Sequence, residues 1–370
     1  MTAAPEGGSR FVYESLSGRV VFGAGRRVEI GDEVERLGAS RVFLIVDGAA
    51  GATGDELSGL LADRVVARWD EVVQHVPIVL AERARAAAGA ALADAVVCVG
   101  GGSSTGLAKA IALTSGLPVI AVPTTYAGSE QTPIYGLTGD RHKQTGRSIA
   151  VLPKAVIYDP ELTVGLPPGV TGPSACNALA HSVEALWVRE ANPVTTALAL
   201  EGVRAIAGAL PRAMAAPGDL AARSDLLYGA YLSGVALAST SPGMHHKITH
   251  VLGGTFGLVH ADAHSVVLPH VVAFNAGAVP EEMDRLATAL GAPGADPAGA
   301  LWDLAQASAV PTTLAALGLA RDDLPEAAER AAAEITDNPR PVSTSELLDL
   351  LHRAFDGARP SSVTSVAAAT

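Results

Sequence analysis

Histidine is the side chain whose charge changes near neutral pH, and six of this chain's ten histidines fall in three short stretches: His181, then His245, His246 and His250, then His260 and His264. Asn177 and His181 are spaced i, i+4, and so are His246 and His250, so on a helix each pair shares one face. A lone helical histidine is ordinarily a satisfied core or surface residue, but this density points to a site. Imidazoles at such spacings can converge on a divalent metal, for which three protein ligands and one open position is the catalytic arrangement. They can equally act as general acids with no metal. Spacing leaves both open.

A second constellation lies in the first half of the chain. Val96-Val97-Cys98-Val99-Gly100-Gly101-Gly102-Ser103-Ser104-Thr105 reads as a strand entering a Gly-rich turn and then the helix that holds Lys109. Glycines let backbone N–H groups approach a phosphate closely, and the helix N-terminus adds partial positive charge, so Gly101, Gly102 and Ser103 can cradle a pyrophosphate. Neither the GxGxxG spacing nor the Walker lysine pattern is present, and three glycines after a strand also make an ordinary tight turn. Asp47 follows another strand, where a carboxylate can accept hydrogen bonds from an adenosine ribose and repel a 2′-phosphate, or simply serve a turn. The stretch 123–130 puts Thr124, Thr125 and Ser129 at the end of a third strand, where ligands of open α/β sheets bind. A capped loop is the plainer reading of it.

These residues need elements to hold them. Through residue 166, short β-branched runs (41–46, 65–68, 95–99, 118–122, 155–158) alternate with Ala/Leu-rich helical stretches such as 81–92 and 106–113, the pattern of parallel strands joined by helical crossovers. Residues 132–148, with three glycines around the charged run 140–143, read as a hairpin with a solvated tip. After Leu166-Pro167-Pro168 the chain turns to long Ala/Leu-rich stretches almost free of β-branched runs. The expectation is therefore an α/β N-terminal domain with a parallel dinucleotide-binding sheet (1–166) and an all-α C-terminal domain carrying the histidine cluster (167–370). The last ten residues are expected to fray.

Composition narrows the function. With 49% hydrophobic residues there is material for a substantial core, and a net charge of −12 without any Lys/Arg run argues against nucleic acid and anionic membranes as partners. No apolar run approaches the ~20 residues of a membrane span, and the first ten residues lack a signal-peptide pattern. Two cysteines, Cys98 and Cys176, lie far apart in apolar surroundings, which is no disulfide framework and suits a reducing cytoplasm.

Taken together, the stretches 100–109, 123–136, 177–181 and 245–260 resemble the iron-containing alcohol dehydrogenase superfamily, which shares its two-domain plan with dehydroquinate synthase. The similarity runs from about Phe11 through Pro341 and is closer to the maleylacetate reductases within that superfamily. Metal-dependent members usually hold their ion with an aspartate and three histidines. The matching positions here are Asn177, His181, His246 and His260, so the one anionic ligand is missing and weak or absent metal binding is expected; any metal would rest on His181, His246 and His260. Gly106 likewise stands where those members usually carry an aspartate.

The resemblance implies a homodimeric NADH- or NADPH-dependent reductase of aromatic-compound catabolism that converts maleylacetate to 3-oxoadipate, with Asp47 favouring NADH. His246, His181 and His260 would polarise the substrate ketone in place of a metal, and His250 would assist proton delivery. Lys247 and Arg147 are the nearest cations in the motif regions for a substrate with two carboxylates, unless they are ordinary surface charges. Competing expectations are a zinc- or iron-dependent dehydrogenase of a small alcohol, a related biosynthetic reductase of a different unsaturated oxo-acid, a lyase like dehydroquinate synthase, and a non-catalytic binding protein. The last leaves the histidine cluster without a purpose.

Overall fold

A computed structural model describes residues 11–361 except 17, 140 and 141. Its first half is a six-stranded, all-parallel sheet built from β1 (Arg19–Phe22), β2 (Val42–Val46), β3 (Val65–Trp69), β4 (Ala95–Gly100), β5 (Val119–Pro123) and, after a hairpin, β8 (Ala155–Tyr158). Strand order is β1-β8-β5-β4-β2-β3. Every residue of β2, β4, β5 and β8 is buried, as expected of parallel strands covered on both faces. The helices α1 (Ile30–Arg36), α2 (Gly51–Leu61), α3 (Ile78–Ala90) and α4 (Gly102–Ser115) connect them. β1 is a short edge strand that the sequence reading does not mark.

The hairpin is present as β6 (Ile134–Gly139) paired antiparallel with β7 (His142–Arg147), and its expected tip at 140–141 lies outside the described residues, as do the frayed tail expected beyond 361 and the polar stretch 1–10. Among the described residues no strand follows Tyr158. The chain continues as α5 (Pro168–Glu184), α6 (Pro193–Ala215), α7 (Leu220–Ala238), α8 (Met244–Phe256), α9 (His260–Asn275), α10 (Pro280–Ala289), α11 (Pro297–Ala307), α12 (Leu324–Glu334) and α13 (Thr344–Asp356). Pro168 occupies the first helical position of α5, where its missing N–H costs nothing. No helix of the described residues is long and apolar enough to cross a membrane.

The strand period of two divides the core. Val42, Leu44 and Val46, with Val97, Val99, Ile120 and Val122, pack beneath α1 and α2 on one face. Phe43, Ile45, Val96, Cys98, Ala121 and Val156 point the other way, into one continuous cluster that includes α5 through α9. The helical half therefore docks on the sheet through shared apolar packing. Arg223 on α7, almost wholly buried, stitches the seam by donating to the Tyr126 hydroxyl (3.1 Å) and to Thr171 Oγ1 (2.9 Å). The backbones approach closely at Gly234 of α7, where any Cβ would run into the Gly128 carbonyl oxygen of the loop after β5.

That contact gives a stability test. Gly234→Ala should lower the unfolding free energy by about 1–3 kcal/mol through overpacking. Gly208→Ala, in α6 with nothing within 4 Å of the new methyl, should raise it by up to ~1 kcal/mol. Urea midpoints at fixed m-value check both, and equal shifts would mean that the halves do not meet at Gly128.

Candidate active site

The chain reverses direction along the sheet between β2 and β4, and open α/β sheets bind ligands outside the carboxyl ends of strands at such a switch point. A cleft of about 690 Å³ opens there. One wall carries all seven positions expected to hold a dinucleotide: Asp47, Gly101, Gly102, Ser103, Thr124, Thr125 and Ser129. Gly100, at φ 141°, makes the turn, and a Cβ on it would collide with the Asp47 side chain. Gly101 caps α4 with no side-chain hydrogen bond, and a Cβ on Gly101 or Gly102 would stand 3.2 Å from Thr125 or 3.4 Å from Ala127. The first N–H groups of α4 thus open on a bare cradle of the kind that takes phosphate oxygens. Asp47 accepts from the Ala49 amide at 3.2 Å, so its carboxylate does serve the turn while facing the cleft.

The opposite wall is imidazole. α5 presents Asn177 and His181, α8 presents His246 and His250, and α9 presents His260; all five line the cleft. The His181 and His246 rings stack at 5.2 Å, and His250 and His260 at 5.8 Å. Behind them is a buried carboxylate. Glu184 lies 2.5 Å from His246 Nδ1 and accepts from the amides of Gly243 (2.8 Å) and His245 (2.7 Å). Burial would push this carboxyl up, but the His246 imidazole and the His245 and Gly243 groups outweigh it and hold Glu184 below the ordinary carboxylate range. With Nδ1 engaged, His246 Nε2 has no partner in the protein, and neither has His181 Nδ1.

A row of imidazoles continues inward, from His260 Nε2 to His264 Nε2 at 3.0 Å and from His264 Nδ1 to His245 Nε2 at 2.7 Å. His245 and His264 are fully buried, and burial with neighbouring imidazoles drives their pKa down, His245 to about 3. Burial likewise pushes His181 well below its usual range, with His246 adding to the effect.

Two expected cations are elsewhere. Lys247 lines a separate depression beside Trp187 and Glu190, because the residue after His246 is turned about 100° around α8. Arg147 is exposed and donates to the Ala238 carbonyl, away from the cleft. Sequence reasoning missed Glu184, although its spacing of three from His181 on one helix was a readable signal. It also passed over His75, a cleft residue from the loop between β3 and α3.

The positions that would hold a metal do not fit one well. Asn177 spends its amide N–H on the Ala127 carbonyl (3.1 Å) and offers only a neutral oxygen, and His260 Nε2 is engaged by His264. Among the described residues no three His, Cys, Asp or Glu side chains are grouped to bind an ion.

Comparison with known proteins identifies the family and the fold. Residues 17–160 match the iron-containing alcohol dehydrogenase family and residues 171–355 match the C-terminal region of the Fe-containing alcohol dehydrogenase family. The chain is 48% identical to a maleylacetate reductase of Burkholderia cepacia over 95% of its length and 99% of that protein. A solved structure of a putative alcohol dehydrogenase from Ralstonia eutropha superposes with TM-score 0.94 at 48% identity, covering 96% of this chain and all of that one. Maleylacetate reductase from Agrobacterium tumefaciens does so with TM-score 0.90 at 42% identity, covering 95% of this chain and all of that one.

Neutral buried imidazoles couple folding to pH. Unfolded histidines take up protons near pH 6.5, whereas His181, His245 and His264 do so only well below it when folded. Their contribution is complete above about pH 6.5 and is lost as pH falls, each adding up to ~1.4 kcal/mol per pH unit to the slope. Denaturant unfolding between pH 7.5 and 5 should show a steep loss below 6.5, and a flat profile would mean that these rings charge freely in the fold.

Proposed function

The chain belongs to the iron-containing alcohol dehydrogenase family of NAD(P)-dependent oxidoreductases, and on that premise we propose that it reduces the carbon–carbon double bond of maleylacetate to give 3-oxoadipate, with its own imidazoles doing what a metal does in other members. The observation that carries this reading is the Glu184-backed His246, a cleft-lining ring whose Nε2 has no partner in the protein, on the same wall as an asparagine where a carboxylate ligand would be needed.

A nicotinamide dinucleotide would lie with its pyrophosphate on the amides of Gly101, Gly102 and Ser103, and Thr124, Thr125 and Ser129 would line its path. Reduced and bound there, it supplies a hydride. Asp47 beside the cradle favours NADH, since its charge opposes a 2′-phosphate. Addition of hydride to the alkene carbon remote from the ketone drives an electron pair onto the ketone oxygen. That oxygen needs donors fixed in advance.

His246 would be the main one. Its Nδ1 rests on Glu184, so the carboxylate behind the ring offsets the charge the ring carries when Nε2 also holds a proton. His181, stacked on it, and His260 complete the donor wall, and Glu184 acts as a positioning residue. His250, one turn along α8 on the same face, would return a proton to the carbon next to the ketone. The natural setting of this chemistry is aromatic-compound breakdown in the cytoplasm, which suits two buried, unbridged cysteines, and the family resemblance implies a homodimer.

Loss of reduced cofactor with maleylacetate, followed at 340 nm for NADH and NADPH, tests the reading. Wild type should turn over and prefer NADH. His246→Ala should lower kcat by about 10²–10³ with NADH affinity intact. Unchanged turnover in that variant would remove His246 from the chemistry.

A further inference from the structure

A cleft that takes a dicarboxylate needs groups to meet two negative charges, and this one is short of them. Among its described lining residues Lys109 is the one Lys or Arg, and its ammonium is taken up by the wall, 2.6–3.0 Å from Ser129 O, Thr132 O, Thr132 Oγ1 and Ile134 O. Lys247 and Arg147 point elsewhere. His181 and His246 lie deep, at the reacting end.

His75 is held in the cleft at a cost to the backbone. It and Val76 have φ of 62° and 46°, the one place among the described residues where two consecutive non-glycine residues are left-handed, and a β-branched residue there is a clear outlier. Such strain persists only where surrounding structure over-determines it. Here Val76 is buried against Gly106, where a Cβ would stand 2.9 Å from Val76 Cγ2. Thr138 of β6 then clamps the loop, its hydroxyl donating to His75 O (2.7 Å) and its amide to Val76 O (3.0 Å). The result throws the His75 ring across to α8, with Cε1 3.7 Å from where a Cβ on Gly253 would sit. Gly253 follows His246 and His250 at helical spacing on one face. The imidazole of His75 therefore closes the His250 end of the cleft from the sheet side.

We propose that His75 is a substrate-binding residue that donates a hydrogen bond to a carboxylate of the bound dicarboxylate, and that the left-handed turn at His75 and Val76, with the bare Gly106 beneath it, exists to aim it. The proposal rests on the substrate reading above. In its terms, His75 selects for an anionic end group on the substrate and takes no part in the hydride step.

Two variants and two readouts test it. His75→Ala should raise KM for maleylacetate about 10–100-fold, as expected for a lost hydrogen bond to a charged group. It should leave kcat within about 3-fold and NADH affinity unchanged, because the donor wall and the phosphate cradle are untouched. His75→Asn, which tolerates the left-handed backbone and keeps a donor, should recover part of the loss. The second readout is calorimetric binding of adipate to the NAD⁺-loaded protein, which should weaken in His75→Ala by a similar factor. A KM and an adipate affinity within about 2-fold of wild type would overturn the proposal. If wild type bound adipate in a His75-dependent way but reduced no maleylacetate, the substrate reading would fall and this site would stand; if wild type bound no dicarboxylate, both would fall.

Discussion

A carboxylate with almost no access to water must be matched by donors, and Glu184 is matched by three: the His246 ring and the amides of Gly243 and His245. That demand fixes the start of α8 against the end of α5 and leaves Nε2 as the His246 nitrogen without a partner. Removing one partner from such a buried cluster typically costs several kcal/mol, so the geometry of the imidazole wall is bound to the stability of the helical half. The row His245, His264 and His260 then extends the same rigid wall to the cleft's far side.

The sheet supplies the complementary wall by a different means. There the work is done by absent side chains: Gly100, Gly101 and Gly102 let the ends of β2, β4 and β5 crowd around the N-terminus of α4, and a methyl at any of them would press on Asp47, Thr125 or Ala127. Asn177 links the two walls through Ala127, whose carbonyl needs a donor; an aspartate at 177 would set a carboxylate against it. A single amide thus serves the docking of α5 and lacks the charge that a divalent ion would want.

Much of this was legible beforehand because it rests on period and composition. The buried strands β2, β4, β5 and β8 are short apolar runs rich in β-branched residues, and each lies within a residue of its expected place. β1 escaped because a four-residue edge strand that begins with Arg19 leaves only three apolar residues, too short a run to stand out. The histidine wall was visible as i, i+4 pairs, but Lys247 was not separable from His246 by proximity in sequence; helical rotation sends neighbours to different surfaces. Glu184 and His75 needed tertiary structure, the first because a lone glutamate on an Ala-rich helix reads as solvated, the second because no sequence pattern announces a left-handed histidine.

The central claim is that the His246 imidazole held by Glu184, with its neighbouring rings and no resident metal, stabilises the charge that reduction places on the substrate oxygen. Its most direct test is to measure metal content and NADH-dependent maleylacetate turnover on the same chelator-treated sample, then again after adding zinc or iron. The account predicts full turnover at far less than one metal per chain and no gain on addition. Turnover that rises in proportion to bound metal would contradict it.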